Sequence, residues 1–179
     1  MHGISWIATL FIAAAYVAAS EGAMLLLRVA ADAPMVSLAS AVGLAACLHC
    51  GIRAAAGVWL GAFVYELIGG RDVFPALGSA ALSTAQIAFA WWLMQHVARM
   101  NLELERLRDV LALVLIGATV IPLANVARAA LTGEWAATTD PALRVALLQV
   151  SALGEAIGIV LLVPAALTWL RPTTTVQRR

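Results

Sequence analysis

Apolar positions along this chain come in long runs instead of the one-sided stripes of a soluble amphipathic helix. Crossing a bilayer core takes roughly 17–25 mostly apolar helical residues. The pattern predicts about six such spans, at 6–27, 36–50, 54–68, 74–97, 110–131 and 142–170. The second and third are short and hinge at Gly51-Ile52-Arg53. They read either as a re-entrant hairpin, which keeps the parity of the later spans, or as one long tilted helix, which reverses it. The expected architecture is all-α, a polytopic transmembrane helix bundle.

Punctuation supports these boundaries. Pro34, Pro75 and Pro141 stand where spans begin, and a proline there sacrifices no intrahelical bond. Asp140, just before Pro141, has the side chain of an N-cap. Pro122 and Pro164 fall inside spans, where they are expected to kink them. Gly57-x-x-x-Gly61 and Gly154-x-x-x-Gly158 carry the small-residue spacing that lets helix backbones approach.

Composition turns a helical pattern into a membrane pattern. Hydrophobic residues make up 63% of the chain and charged residues only 12%, which excludes an ordinary water-soluble domain. The net charge of +1 gives no reason to expect a nucleic-acid partner. The residues before Trp6 lack the basic start of a cleavable signal, so the first span reads as retained. Residues 1–171 read as one integral membrane domain and 172–179 as a short cytoplasmic tail.

Arginine placement suggests the sides. Arg53, Arg99, Arg106, Arg108, Arg171, Arg178 and Arg179 gather on one face of the membrane. Arg28, Arg71, Arg128 and Arg144 fall on the other, among Asp32, Asp72, Glu134 and Asp140. The positive-inside rule then puts both termini in the cytoplasm of a bacterial inner membrane. Trp6, Trp91, Trp92 and Trp169 lie near the same boundary, as an aromatic belt does.

Against this apolar background the polar positions are few. Glu155 is at the middle of the last span, where a carboxylate costs roughly 2.5–3.5 kcal/mol on insertion scales, so intramembrane acids are functional candidates by default. Glu21 lies toward the outer end of the first span, Ser37 and Ser40 open the second, and Glu66 closes the third. Ser83, Thr84 and Gln86 occupy the fourth, and Asn125 and Arg128 share one face of the fifth. This depth pattern suggests a polar cavity open to the periplasm with Glu155 near its floor. The blander reading stands beside it. Glu66 and Arg128 are near enough to an interface to snorkel, Glu21 can pair with Arg28, and hydroxyls in spans commonly bond back to their own helix. Glu155, too deep to snorkel, can still be a packing or structural hydrogen-bonding group.

Cys47-Leu48-His49-Cys50 offers three possible zinc ligands but no fourth, so the thiols read as small apolar side chains. No metal and no cofactor is expected. His2, His49 and His96 are scattered without a companion acid motif, so nothing points to catalysis.

Three segments together resemble a known family. They are Ala41-Val42-Gly43-Leu44-Ala45-Ala46 leading through Gly51-Ile52-Arg53 to Gly57-Val58-Trp59-Leu60-Gly61-Ala62-Phe63, then Arg106-Leu107-Arg108-Asp109-Val110-Leu111-Ala112-Leu113, then Leu153 to Pro164 around Glu155. In order and spacing they are similar to the first-described class of the bacterial membrane-associated sensor (MASE) family. The resemblance spans nearly the whole chain. It implies a sensory input domain of the kind found before histidine kinase or diguanylate cyclase domains. Where the family tends to carry Trp-Pro, this chain has Ala39-Ser40 and Ala55-Ala56. Ser83 and Gln86 replace an Asn and an acid, while Glu155 keeps the carboxylate of a usual Asp.

The leading expectation is therefore a non-enzymatic sensory module that binds a small molecule or membrane-phase signal. Only nine residues follow Leu170, so output is expected to pass to a separate cytoplasmic kinase or diguanylate cyclase partner, or through a homo-oligomer, unless the sequence is the sensor half of a longer protein. The ligand candidates are Glu155, Gln86, Asn125, Arg128, Glu66 and Glu21. The alternative is a solute-binding membrane subunit of a vitamin-importer-like transporter, with Ala14, Ala18 and Gly22 spaced by four for docking a coupling subunit.

Overall fold

A computed structural model describes residues 5–26, 28–29, 33–34, 38–99, 107–132 and 140–169. Six helices dominate them. They are α1 (Trp6–Leu26), α2 (Leu38–Cys50), α3 (Ala55–Ile68), α4 (Val73–Val97), α5 (107–132) and α6 (Pro141–Trp169). The exception to an all-helical chain is a two-residue antiparallel strand pair between α1 and α2, with Arg28 opposite Pro34 and Val29 opposite Ala33. Pro34 thus belongs to that strand pair, and α2 starts only at Leu38.

Among the described residues, α1, α4, α5 and α6 are long and apolar enough to cross a membrane. The short pair is different: α2 has 13 residues and α3 has 14, about 20 Å each at the helical rise. They are separate helices, because Gly51 adopts φ 79° and a 3₁₀ turn, Ile52–Ala54, follows it. A positive φ is cheap for glycine and breaks the helix sharply. The reading of 36–68 as one long tilted helix is therefore overturned.

Contacts along the helices fix their relative directions. Gly57 meets Thr9 and Ile12 while Gly61 meets Ala13 and Tyr16, so α3 runs parallel to α1. Gly43 lies against Val58 and Ile87, and Gly117 against Ile159 and Met94. With Glu66 at Ser79 and Asn125 at Glu155, successive helices alternate in direction. The start of α1 and the end of α6 therefore share one end of the bundle. Arg53, Arg99 and Arg108 are at that end, and Arg71 and Arg128 are toward the other. Arg106, Arg171, Arg178, Arg179, Asp32, Glu134 and Ser37 lie outside the described residues.

The shortest helix is the most enclosed. In α2, Ala41, Leu44 and Cys47 are fully buried, and it packs against α1, α4 and α6. That explains why it is apolar all round. The Gly57/Gly61 pair does what its spacing suggests. A Cβ at Gly61 would stand 2.8 Å from the Ala13 carbonyl oxygen and from Tyr16 Cβ, so α1 and α3 touch backbone to backbone. Both α4 and α5 contain one π-helical turn, Leu93–Val97 and Leu113–Gly117, and the two meet where Met94 covers Gly117. Outward faces carry large apolar side chains, among them Phe11, Phe89, Leu115, Leu123, Leu153 and Leu161, as lipid-facing surfaces do.

Candidate functional site

Helix α6 opens with Asp140 capping it: the Ala142 N–H donates to Asp140 Oδ1 at 2.9 Å, and Pro141 takes the first helical position. From that start Glu155 falls in the middle of the helix, between the buried Gly154 and Gly158. The carboxylate is fully buried. A charge so enclosed persists only if its lone pairs are satisfied. Two helices meet that need: Ser40 Oγ of α2 donates to Oε1, and Asn125 Nδ2 of α5 donates to Oε2 at 2.5 Å.

The Asn125 amide is itself held in one orientation. Its Oδ1 accepts from Gln86 Nε2 of α4 at 3.1 Å and from Arg128 Nε at 3.2 Å. Two donors on the oxygen oblige the NH₂ group to face Glu155. Arg128, one turn along α5, also donates from Nη1 to Ser79 Oγ at 3.2 Å. Ser79 passes the polarity on, donating to Glu66 Oε1 at 2.5 Å, and Glu66 Oε2 pairs with Arg71 Nη1 at 3.2 Å.

The result is a directional chain with Arg128 at its centre. One branch runs Arg128 to Asn125 to Glu155, the other Arg128 to Ser79 to Glu66. Each passes through a neutral side chain and ends on a carboxylate. It starts at the α3–α4 turn, where Arg71 and Glu66 are 31% and 18% exposed, and ends at the buried middle of α6. A guanidinium and an amide stand in this path, so it does not conduct protons like a row of waters or carboxyls.

Five of the six residues singled out from sequence, Glu155, Gln86, Asn125, Arg128 and Glu66, are brought together here. Glu21 is not in the chain; it is half-buried on α1, and its expected partner Arg28 is described only as backbone. The snorkelling alternative fails for Arg128, which points into the bundle toward Asn125 and Ser79. The polar groups are joined directly to one another by hydrogen bonds, and Glu155 is fully buried. Ser20, Thr84, Thr119 and Thr168 do bond back to carbonyls of their own helices. Ser40 and Ser79 instead donate to carboxylates on other helices.

Ser79 was not foreseen. Its signal was the spacing to Gln86, seven residues or two turns on the same face of α4. Tyr16 is buried on α1. Asp109 is buried in the first turn of α5, with Arg108 Nε at 3.8 Å. Of the Cys-Leu-His-Cys cluster, Cys47 is buried and Cys50 exposed, both as free thiols.

An apolar groove of about 440 Å³ lies between α2 and the last turns of α6, lined by Ala41 and Val42 of α2 and Leu162, Ala165, Ala166 and Trp169 of α6. Its walls are the two helices that the Ser40–Glu155 bond ties together. No curated protein and no solved structure matches the chain. The MASE1 family does, over residues 7–178. The match takes in every helix of the bundle and the whole polar chain, and so this membrane protein belongs to MASE1, a family of membrane-associated sensory domains.

Proposed function

We propose that the chain is a non-enzymatic signal-input domain of the bacterial inner membrane, with the polar chain around Glu155 as its sensing element. A small molecule or membrane-phase signal arriving from the periplasmic side, the α3–α4 end, biases that chain. The packing of α2 against α6 changes, and the end of α6 passes the change to a cytoplasmic output protein, a kinase or diguanylate cyclase.

The observation that carries this reading is the position of Glu155. It is the midpoint of the last helix and its hydrogen bonds reach two other helices at once. Opening one buried hydrogen bond of this kind costs about 1–3 kcal/mol. Coupling free energies between allosteric sites fall in the same range. A ligand with modest differential affinity for the two packings therefore suffices to shift them. Pro164, nine residues after Glu155, leaves a gap in the backbone bonding of α6 where the helix can flex.

Fusing a diguanylate cyclase domain after α6 tests the proposal. Output that responds to a periplasmic extract in the parent, and is locked high or low in Glu155→Gln, supports it. Identical output from both, with both folded, refutes it.

One observation favours a transport subunit instead. Ala14 and Ala18 are exposed and Gly22 has open space beside it, so this small-residue face of α1 is turned away from the bundle. Uptake of a solute dependent on an energising partner would support that reading over the sensor.

A further inference from the structure

The carboxylate of Glu66 occupies a place built for an anion. Ser79 Oγ donates to its Oε1 at 2.5 Å, Arg71 Nη1 is 3.2 Å from its Oε2, and Arg128 stands behind Ser79 with Nη1 at 3.2 Å from that hydroxyl. One guanidinium and one hydroxyl meet the carboxylate directly, and a second guanidinium bonds that hydroxyl from behind, a donor set of the kind that recognises carboxylates and phosphates. Ser79 is only 1% exposed, so water does not readily replace Glu66 as its acceptor.

Glu66 itself is poorly placed to stay. It lies in the last turn of α3, where the helix dipole disfavours negative charge. Its side chain is already 18% exposed at the open end of the polar chain. A rotation about its side-chain bonds would carry the carboxylate toward water and leave Arg71 Nη1 and Ser79 Oγ without it, with Arg128 behind Ser79.

We propose that Arg71, Ser79 and Arg128 form a binding site for a small oxyanion, a carboxylate or a phosphate, and that Glu66 is its internal occupant, displaced when such an anion enters. This deepens the sensory reading, on which it rests only for its consequence. The guanidinium that bonds Ser79 behind the site also orients Asn125, and Asn125 holds Glu155. Occupancy at the mouth is thereby felt at the centre of α6.

Thermal unfolding of the detergent-purified chain in acetate, phosphate or chloride at matched ionic strength tests the site. Glu66→Ala vacates the site, and in that variant acetate or phosphate raises Tm saturably, with apparent affinity about tenfold or more above the parent's. Adding Arg71→Ala abolishes the response. A response to acetate alone identifies a carboxylate ligand, and one to phosphate alone a phosphate. If Glu66→Ala does not fold, Glu66→Ser vacates the same space with a small polar side chain and is read the same way. A Tm that follows chloride as well as acetate and phosphate, or an anion response that survives Arg71→Ala, overturns the proposal. No signalling output enters this measurement, so its failure leaves the sensory reading standing, and failure of that reading leaves the anion site standing.

Discussion

Asn125 presents its amide NH₂ to Glu155 at 2.5 Å because its carbonyl oxygen is already committed to Arg128 and Gln86. The positive charge of Arg128 is thus conveyed to a buried carboxylate through a neutral side chain whose orientation is fixed. Reversing the polarity of this pair is the sharpest way to test it. Asn125→Asp turns an oxygen toward Glu155 and sets two acids together, and it should destabilise the bundle. Adding Glu155→Gln restores a donor facing an acceptor. The double variant should be more stable than Asn125→Asp alone, with a coupling of about 0.5–3 kcal/mol in a double-mutant cycle, measured by unfolding in detergent.

Ser40 is the sole contribution of α2 to the chain and donates to Glu155 Oε1. Ser40→Ala leaves a buried carboxylate oxygen short of a donor and should cost about 1–3 kcal/mol. Ser20→Ala is the control. Ser20 is also buried but only bonds back to the Tyr16 carbonyl at 2.9 Å, so its loss should change Tm little.

Arg128→Lys should behave as a disruptive substitution. Arg128 uses Nε for Asn125 and Nη1 for Ser79, and a single ammonium on a flexible stem does not reproduce that fork. The expected loss is about 1.5–3 kcal/mol for a hydrogen bond to a charged group. Unchanged thermal stability in Arg128→Lys would mean the fork geometry is not needed.

Close approach of α1 and α3 predicts a contrast between glycines. Gly61→Ala places a methyl group 2.8 Å from backbone and Cβ atoms of α1, and overpacking of that kind costs about 1–3 kcal/mol. At Gly78, nothing lies within 4 Å of an added Cβ. Gly78→Ala in α4 should be neutral or stabilise by up to about 1 kcal/mol. Melting temperatures of the two variants should move apart.

Much of this arrangement was legible in the sequence. Long apolar runs, Asp140-Pro141 and Gly51 located the helices, because capping and backbone freedom are local properties. Glu155, Asn125, Arg128, Gln86 and Glu66 stood out because a polar side chain deep in an apolar run is costly. What the sequence could not supply was connection. Ser40 and Ser79 look like any span hydroxyl until their partners on α6 and α3 are seen, and Glu21 looked as promising as Glu66. Depth placed the polar groups along the membrane normal but could not say which of them bond to one another.

The central claim is that Glu155 latches α2 to α6, and a distance between those helices tests it most directly. Cys50 is exposed at the end of α2, Cys47 is buried, and Trp169 is 92% exposed at the same end of α6. Spin labels on Cys50 and on a cysteine from Trp169→Cys, in a Cys47→Ala background, report that distance by pulsed electron resonance. One narrow distribution in the parent that broadens or shifts in Glu155→Gln is the predicted result. Superimposable distributions in the two proteins, both folded, would contradict the latch and reduce Glu155 to a passive packing group.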